Sequence, residues 1–292
     1  MARGKFNHWW RRGGETILDS LLRKGSFARL SYRHGWHGKL GVTQYTHRHA
    51  CTSKSKHSAF EQLPPLRIAF LSDFHAGPST CPQIFRDAFE VLKNQDISLL
   101  LLGGDFISHR AQYVDQLLPL LETLKPPLGK YAVFGNHDLW SDHDYIEAQL
   151  ARAEVDFLVN QEISLPAPYH HVHLYGFDDP WTGAAASNKN FAAHQGCRLV
   201  LSHSPDFLHF LDSNEFDLAF AGHTHAGQLA RSNGKPWWQT HGMYSQRYLH
   251  GDFQIENNGR LLVGSGLGCS NLPLRINADP EILICELHFA ES

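Results

Sequence analysis

The chain has 292 residues, 42% of them hydrophobic and 19% charged, which excludes a disordered polypeptide and leaves room for one large domain with a short appendage. Its formal charge of −3 is unevenly spread: residues 1–62 hold 12 Lys/Arg against Glu15, Asp19 and Glu61, while the remainder is acidic. That asymmetry points to an anionic partner for the N-terminal stretch.

In chain order, residues 1–62 read as a basic leader. Trp9-Trp10 and Arg11-Arg12 precede Ile17, Leu18, Leu21 and Leu22, which would share one face of a short helix. Trp beside Arg at the edge of an amphipathic helix suits an anionic membrane surface; the alternative is that the leucines pack on the catalytic domain. Glu15 and Asp19 interrupt any signal-peptide core, and no apolar run approaches the roughly 18 residues of a spanning helix.

Leu63-Pro64-Pro65 then opens a domain expected to fill residues 63–292. Residues 66–71 read as a buried strand, 85–92 as a helix with Phe85, Ala88, Phe89 and Leu92 on one side, and 97–102 as a second strand. A helix over 114–124 and a strand over 131–134 continue the alternation of an α/β fold. Short apolar strands follow at 172–175, 199–201, 218–221, 261–263 and 282–287.

Five of the strands end in polar residues: Asp73-Phe74-His75, Gly104-Asp105, Gly135-Asn136-His137-Asp138, Ser202-His203 and Gly222-His223-Thr224-His225. Loops at the carboxyl ends of strands converge on one crevice. The glycines before Asp105, Asn136 and His223 allow sharp turns and close approach to a metal or phosphate. The result is an O/N ligand set without sulfur, suited to Mn²⁺, Fe or Zn²⁺ in an open geometry. Each motif alone is commonplace; five in this order at five strand ends are not an accident. Cys51, Cys81, Cys197, Cys269 and Cys285 lie far apart without a C-x-x-C pair, so neither a disulfide framework nor a thiolate zinc site follows from spacing. A reduced, cytoplasmic setting is the plain expectation.

The series resembles the full signature of the calcineurin-like metallophosphoesterases, over residues 66–287. The resemblance implies a four-layer α/β sandwich of two central mixed β-sheets flanked by helices. It also implies two divalent metal ions, Mn²⁺ first, with Fe or Zn²⁺ as alternatives. Asp73, His75 and His225 would hold one ion, Asn136, His203 and His223 the other, and Asp105 would bridge both. His137 corresponds to the histidine that contacts the scissile phosphate and helps protonate the leaving group, paired with an acidic neighbour such as Asp105. Hydrolysis would follow attack by a metal-bridging hydroxide.

The stretch Gly104-Asp105-Phe106-Ile107-Ser108-His109-Arg110 and the Asp138 after His137 depart from the protein-phosphatase forms and point toward phosphodiesterases and pyrophosphatases. Ser202-His203-Ser204-Pro205-Asp206, the run from Gly222 to Gln228, Gly266-Leu267-Gly268 and Pro273-x-Arg275 resemble the bacterial subgroup of YkuE- and YaeI-like phosphodiesterases, with Ala226 where the subgroup has Gly. That subgroup includes a chlamydial-type UDP-2,3-diacylglucosamine pyrophosphatase of lipid A synthesis. Hydrolysis of such a lipid-linked substrate at the inner face of the membrane is therefore the sharpest expectation. Loops 181–191 and 237–248 are candidates for an acyl groove or for aromatic caps on the core. Arg247 and Arg275 are candidates for phosphate contact or surface salt bridges, and Asp178-Asp179 reads as a turn. A nuclease or cyclic-nucleotide phosphodiesterase shares the Gly-Asn-His-Asp form and stays open, although stacking aromatics interleaved with Lys/Arg are not evident near the motifs, so no specific nucleic acid is expected. A non-catalytic metal-binding scaffold is the third reading; it would be expected to have lost a ligand, and every motif position is filled.

Overall fold

The computed structural model describes residues 20, 22–51, 63–238 and 242–291. Its strands are β1 (Gly41–Cys51), β2 (Leu66–Leu71), β3 (Leu99–Leu102), β4 (Lys130–Ala132), β5 (Val155–Phe157), β6 (Gln161–Ser164), β7 (Val172–Gly176), β8 (Cys197–Leu201), β9 (Leu218–Ala221), β10 (Gly251–Gln254), β11 (Arg260–Val263) and β12 (Glu281–Glu291). They form two six-stranded sheets, ordered β1-β12-β2-β3-β4-β5 and β10-β11-β9-β8-β7-β6. The β12–β2, β10–β11 and β6–β7 pairs are antiparallel and the others parallel, so both sheets are mixed. The helices are α1 (Ser26–Arg33), α2 (Gln83–Lys93), α3 (Leu118–Leu121), α4 (Asn136–Leu139), α5 (His143–Ala151), α6 (Lys189–Ala192) and α7 (Met243–Arg247).

The two-residue period of β2 explains the layering. Leu66, Ile68 and Phe70 face the second sheet and join Leu174, Leu199, Leu201 and Phe220 in a buried core between the sheets. Ala69 and Leu71 face the other way, into a core shared with Phe85 and Phe89 of α2 and Ile146 and Leu150 of α5. On the far side, Val200, Ala219 and Val263 pack with Phe191, Phe207 and Tyr248 under short helices. Strands buried on both faces are why the sequence shows apolar runs here rather than alternation. The four-layer sandwich is the one expected.

Two expectations need correction. The helix over 114–124 is broken into a 3₁₀ turn at Ala111–Gln116 and the four-residue α3. Pro119 has no N–H to return to the carbonyl four residues back, so the helix restarts around it. The leader is likewise not separate from the catalytic unit throughout. β1 pairs in parallel with β12 from Gly41↔Glu281 to Cys51↔Glu291, and α1 buries Ala28 and Ser31. Leu22 is buried too, while Trp9-Trp10, Arg11-Arg12, Ile17, Leu18 and Leu21 lie outside the described residues. Among the described residues, no helix is long and apolar enough to cross a membrane.

Candidate metal centre

Asp73 and His75 follow β2, Asp105 follows β3, Asn136 follows β4, His203 follows β8, and His223 and His225 follow β9. Neighbouring parallel strands of both sheets thus deliver their carboxyl ends to one place. The loops are forced: Asp73, His75, Asp105, His223 and His225 have φ between 43° and 70°. Each such non-glycine residue costs of order 1–2 kcal/mol, a cost that persists where surrounding contacts over-determine the backbone. Here Asp73 N–H donates to Gly104 O at 2.9 Å, His75 N–H to Asp105 O at 2.9 Å, and Gly222 N–H to His203 O at 2.8 Å. Glycine is needed where the loops touch. A Cβ on Gly135 would lie 2.2 Å from Asp105 Oδ1, and one on Gly222 2.4 Å from Asp73 Oδ2.

The side chains gather in two linked groups. In the first, His75 Nε2 lies 3.0 Å from His225 Nε2, and His225 Nε2 lies 3.4 Å from Asp73 Oδ1. In the second, His203 Nε2 lies 3.2 Å from Asn136 Oδ1 and 3.2 Å from His223 Nδ1. Asp105 Oδ2 stands between them, 3.4 Å from His75 Nε2 and 3.5 Å from His203 Nε2. His203 Nδ1 is 2.7 Å from the Gly103 carbonyl, the partner that fixes the ring with Nε2 facing inward. Metal-capable triads occur at Asp73/His75/His225, His75/Asp105/His137 and Asp73/Asp105/His203.

Burial holds His75 and His223 well below the ordinary histidine pKa and His225 down to about 4, so these rings are neutral. Burial also raises Asp105 to about 7. Burial alone would lower His203, but the Asp105, Asp73 and Asp179 carboxylates outweigh it and raise the ring to about 9. Cations bound at this centre must displace the protons on Asp105 and His203. Metal binding should therefore tighten as pH rises toward 9 and release roughly one to two protons per chain at pH 7. Titration calorimetry in buffers of different ionisation enthalpy measures this directly. Proton-neutral binding would mean that these two residues are not ligands.

The sequence profile of the calcineurin-like phosphoesterases matches residues 66–227. The chain belongs to that family. Phosphodiesterase YaeI of Escherichia coli K12 is 30% identical to it over 240 residues, covering 78% of this chain and 84% of YaeI. The uncharacterized metallophosphoesterase YkuE of Bacillus subtilis 168 is 26% identical over 269 residues, covering 86% of this chain and 90% of that protein. An uncharacterized metallophosphoesterase of Helicobacter pylori J99 is 27% identical over 233 residues; this chain covers 60% of its length. As a calcineurin-like phosphoesterase the chain is a metal-dependent hydrolase, and the family implies divalent metal ions.

Within this phosphoesterase, two expectations about individual residues change. Arg275 is buried rather than a surface or substrate residue. Its guanidinium donates to the carbonyls of Gly268, Ser265, Ala278 and His225, and Nη2 lies 3.3 Å from His225 Nδ1. It positions His225 from behind. Arg275→Lys, which cannot span four carbonyls, should weaken metal binding by about tenfold or more, as losses behind metal ligands do. Unchanged affinity by calorimetry would refute that role. The Asp105–His137 pairing takes the form of a backbone bond, His137 N–H donating to Asp105 Oδ1 at 2.8 Å, while His137 Nδ1 sits 2.6 Å from the Ser108 carbonyl. Ala226, at φ 51°, occupies a left-handed position where the subgroup's Gly would sit without strain. Arg247 is exposed at the end of α7, its guanidinium 5.3 Å from the Tyr248 ring centroid.

Several residues at the site carry roles that the motifs do not reveal. Ser108 Oγ donates to the His75 carbonyl, so one residue ties His75 to His137. Asp138 accepts from Phe106 N–H and Gly135 N–H, locking the loops after β3 and β4 together. Asp206 accepts from Tyr244 N–H and Ser245 Oγ, docking α7 beside the Ser202–His203 loop. Asp178 and Asp179 cap their own loop, as expected of a turn, through Ala184 N–H and Thr182 N–H.

Proposed function

We propose that this phosphoesterase hydrolyses a phosphodiester or pyrophosphate bond with two divalent cations, one held by Asp73, His75 and His225, the other by Asn136, His203 and His223, with Asp105 shared. The observation that carries this reading is Asp105 Oδ2, poised 3.4 Å and 3.5 Å from the Nε2 atoms of His75 and His203. The donors fit such ions: imidazoles, two carboxylates and one amide, without sulfur, favour Mn²⁺, with Fe or Zn²⁺ as substitutes. Bound there, the cations would lower the pKa of a water and neutralise charge on the phosphoryl oxygens. The protein's own groups do the rest. Asn136 adds no charge, which leaves the centre net positive toward an anionic substrate. His137, its ring fixed by Nδ1 on the Ser108 carbonyl, would hand a proton from Nε2 to the departing oxygen. Arg247, exposed at the end of α7, is the candidate contact for a second phosphate.

We further read the substrate as lipid-linked, with UDP-2,3-diacylglucosamine the sharpest case. The support is an exposed apolar rim beside the His225 turn. Trp237 and Trp238 are 50% and 67% exposed, and Trp36 is 58% exposed. Trp237 N–H donates to Leu229 O, Leu229 pairs with Ile276, and Arg275 N–H donates to Trp36 O, which sets these segments side by side. Arg231 and Lys235 are exposed in the same loop. Trp with Lys/Arg is the composition of a surface that meets acyl chains and anionic headgroups. The 181–191 loop divides: Phe191 is buried as a core cap, whereas Trp181 is exposed.

The test is release of UMP from UDP-2,3-diacylglucosamine compared with a soluble UDP-sugar. Trp237→Ala and Trp238→Ala should raise KM for the acylated substrate by about tenfold, the effect of losing one buried aromatic contact. Their turnover of bis-p-nitrophenyl phosphate should not change. Equal hydrolysis of acylated and soluble substrates would remove the lipid reading and leave the two-metal chemistry standing.

A further inference from the structure

At the pole of the sandwich opposite the metal centre, three chemically different side chains meet. His49 near the end of β1, Cys197 at the start of β8 and Asp217 just before β9 bring a ring nitrogen, a sulfur and a carboxylate oxygen within 4.8 Å of one another. Cys197 opens the strand that ends before His203, so the length of β8 separates this cluster from the centre, roughly 20 Å at about 3.3 Å per residue. We propose that His49, Cys197 and Asp217 form a separate binding site for a borderline-soft divalent cation, zinc above all, that ties the edge strand β1 of the first sheet to β8 and β9 of the second.

The donor set selects the ion. A thiolate with an imidazole and a carboxylate suits Zn²⁺, whereas the sulfur-free centre at the other pole suits harder ions. In tetrahedral zinc, with metal–ligand bonds of about 2.0–2.3 Å, neighbouring donors stand roughly 3.3–3.7 Å apart. Side-chain shifts of about an ångström from the present spacing would reach that. Asp217 is already oriented for it. Its Oδ2 accepts from Arg198 N–H at 2.7 Å and Nε–H at 3.1 Å, and its Oδ1 accepts from Arg198 Nη2 at 3.0 Å. Arg198 is itself anchored by the Ala192 and Asn214 carbonyls, giving the outer hydrogen bonds that hold ligating carboxylates in place. Cys197 is fully buried, and burial holds the His49 ring in its neutral form. Binding would release the thiol proton to solvent, and water would complete the tetrahedron on the partly exposed side of His49 and Asp217.

The strand that gains the tie is the edge of its sheet. Residues Val42, Gln44, Thr46 and Arg48 of β1 are exposed, and the half-buried face carries Thr43, Tyr45, His47 and His49 rather than aliphatic side chains. Tyr45 packs on the core between the sheets and His49 against Phe289, and a cation shared across the gap would add to these contacts.

The experiment loads the full chain with Co²⁺ and reads the near-ultraviolet thiolate-to-cobalt charge-transfer band. No ligand proposed for the dinuclear centre is a sulfur atom, so that band reports the Cys197 cluster. Wild type should show the band, and Cys197→Ser and His49→Gln should lose it while keeping bis-p-nitrophenyl phosphate hydrolysis. Both variants should also hold about one equivalent of zinc less than wild type. His49 is only half-buried, so His49→Gln keeps the test decisive should Cys197→Ser fail to fold. A wild-type chain without the band at excess cobalt, or a band unchanged in either variant, overturns the proposal.

Discussion

Asp105→Asn is expected to lower phosphoester hydrolysis by about a thousandfold or more while leaving the chain folded. Asp105 Oδ2 stands between the two groups of donors, near both His75 and His203. Replacing it with an amide removes the negative charge that would hold two cations together. Metal contributions to phosphoryl chemistry run to several kcal/mol, and each 1.4 kcal/mol is tenfold in rate. Folding should survive, because the amide oxygen still accepts the His137 N–H that Oδ1 takes at 2.8 Å. Metal content per chain and circular dichroism, measured with activity, separate loss of chemistry from loss of structure. Wild-type turnover with both metals bound would show that Asp105 is not the shared ligand.

His137→Gln is the second large effect, a fall in kcat of about 100- to 1000-fold with the metals retained, as expected for loss of a positioned proton donor. The ring stacks edge-on against His75 at 4.6 Å and lies 4.9 Å from Trp140, with Nδ1 held by Ser108 O at 2.6 Å. A ring fixed in this way would act through Nε2 if His137 is the proton donor. The loss should be small for a diester that expels nitrophenolate, which needs little protonation, and large for one that expels an alkoxide. His137 also belongs to a metal-capable triad with His75 and Asp105. Loss of a metal equivalent in the variant, with the same rate penalty for every leaving group, would make it a ligand rather than an acid.

The central layers were legible because β2, β3, β8 and β9 are buried on both faces and therefore written as apolar runs, broken in these four strands by Arg67 and Arg198 alone. Strand β1 was not. Its alternation is real, but its inward positions are Thr43, Tyr45, His47 and His49, and its partner β12 lies some 240 residues away in sequence. Such a strand looks like a polar leader until the pairing is seen. Strands β5, β6 and β10, of three or four residues, give a periodicity too short to read.

At the site, residues that act through their own side chains announced themselves at strand ends, and residues that act through someone else's backbone did not. Arg275 looked like any Arg after a Pro. Its role comes from four carbonyls gathered by distant loops, which no local pattern encodes. Ser108 holds the His137 ring through a main-chain oxygen, for which its identity carries no signal at all. The cluster of His49, Cys197 and Asp217 escaped for the same reason: three strands bring it together, and the cysteine spacing is silent.

The most direct test of the two-metal account is hydrolysis of bis-p-nitrophenyl phosphate against p-nitrophenyl phosphate, on protein stripped by a chelator and then given Mn²⁺. The account predicts no turnover after stripping, recovery with Mn²⁺, and a rate on the diester well above that on the monoester. Turnover that survives chelation, or a preference for the monoester once Mn²⁺ is restored, would contradict it.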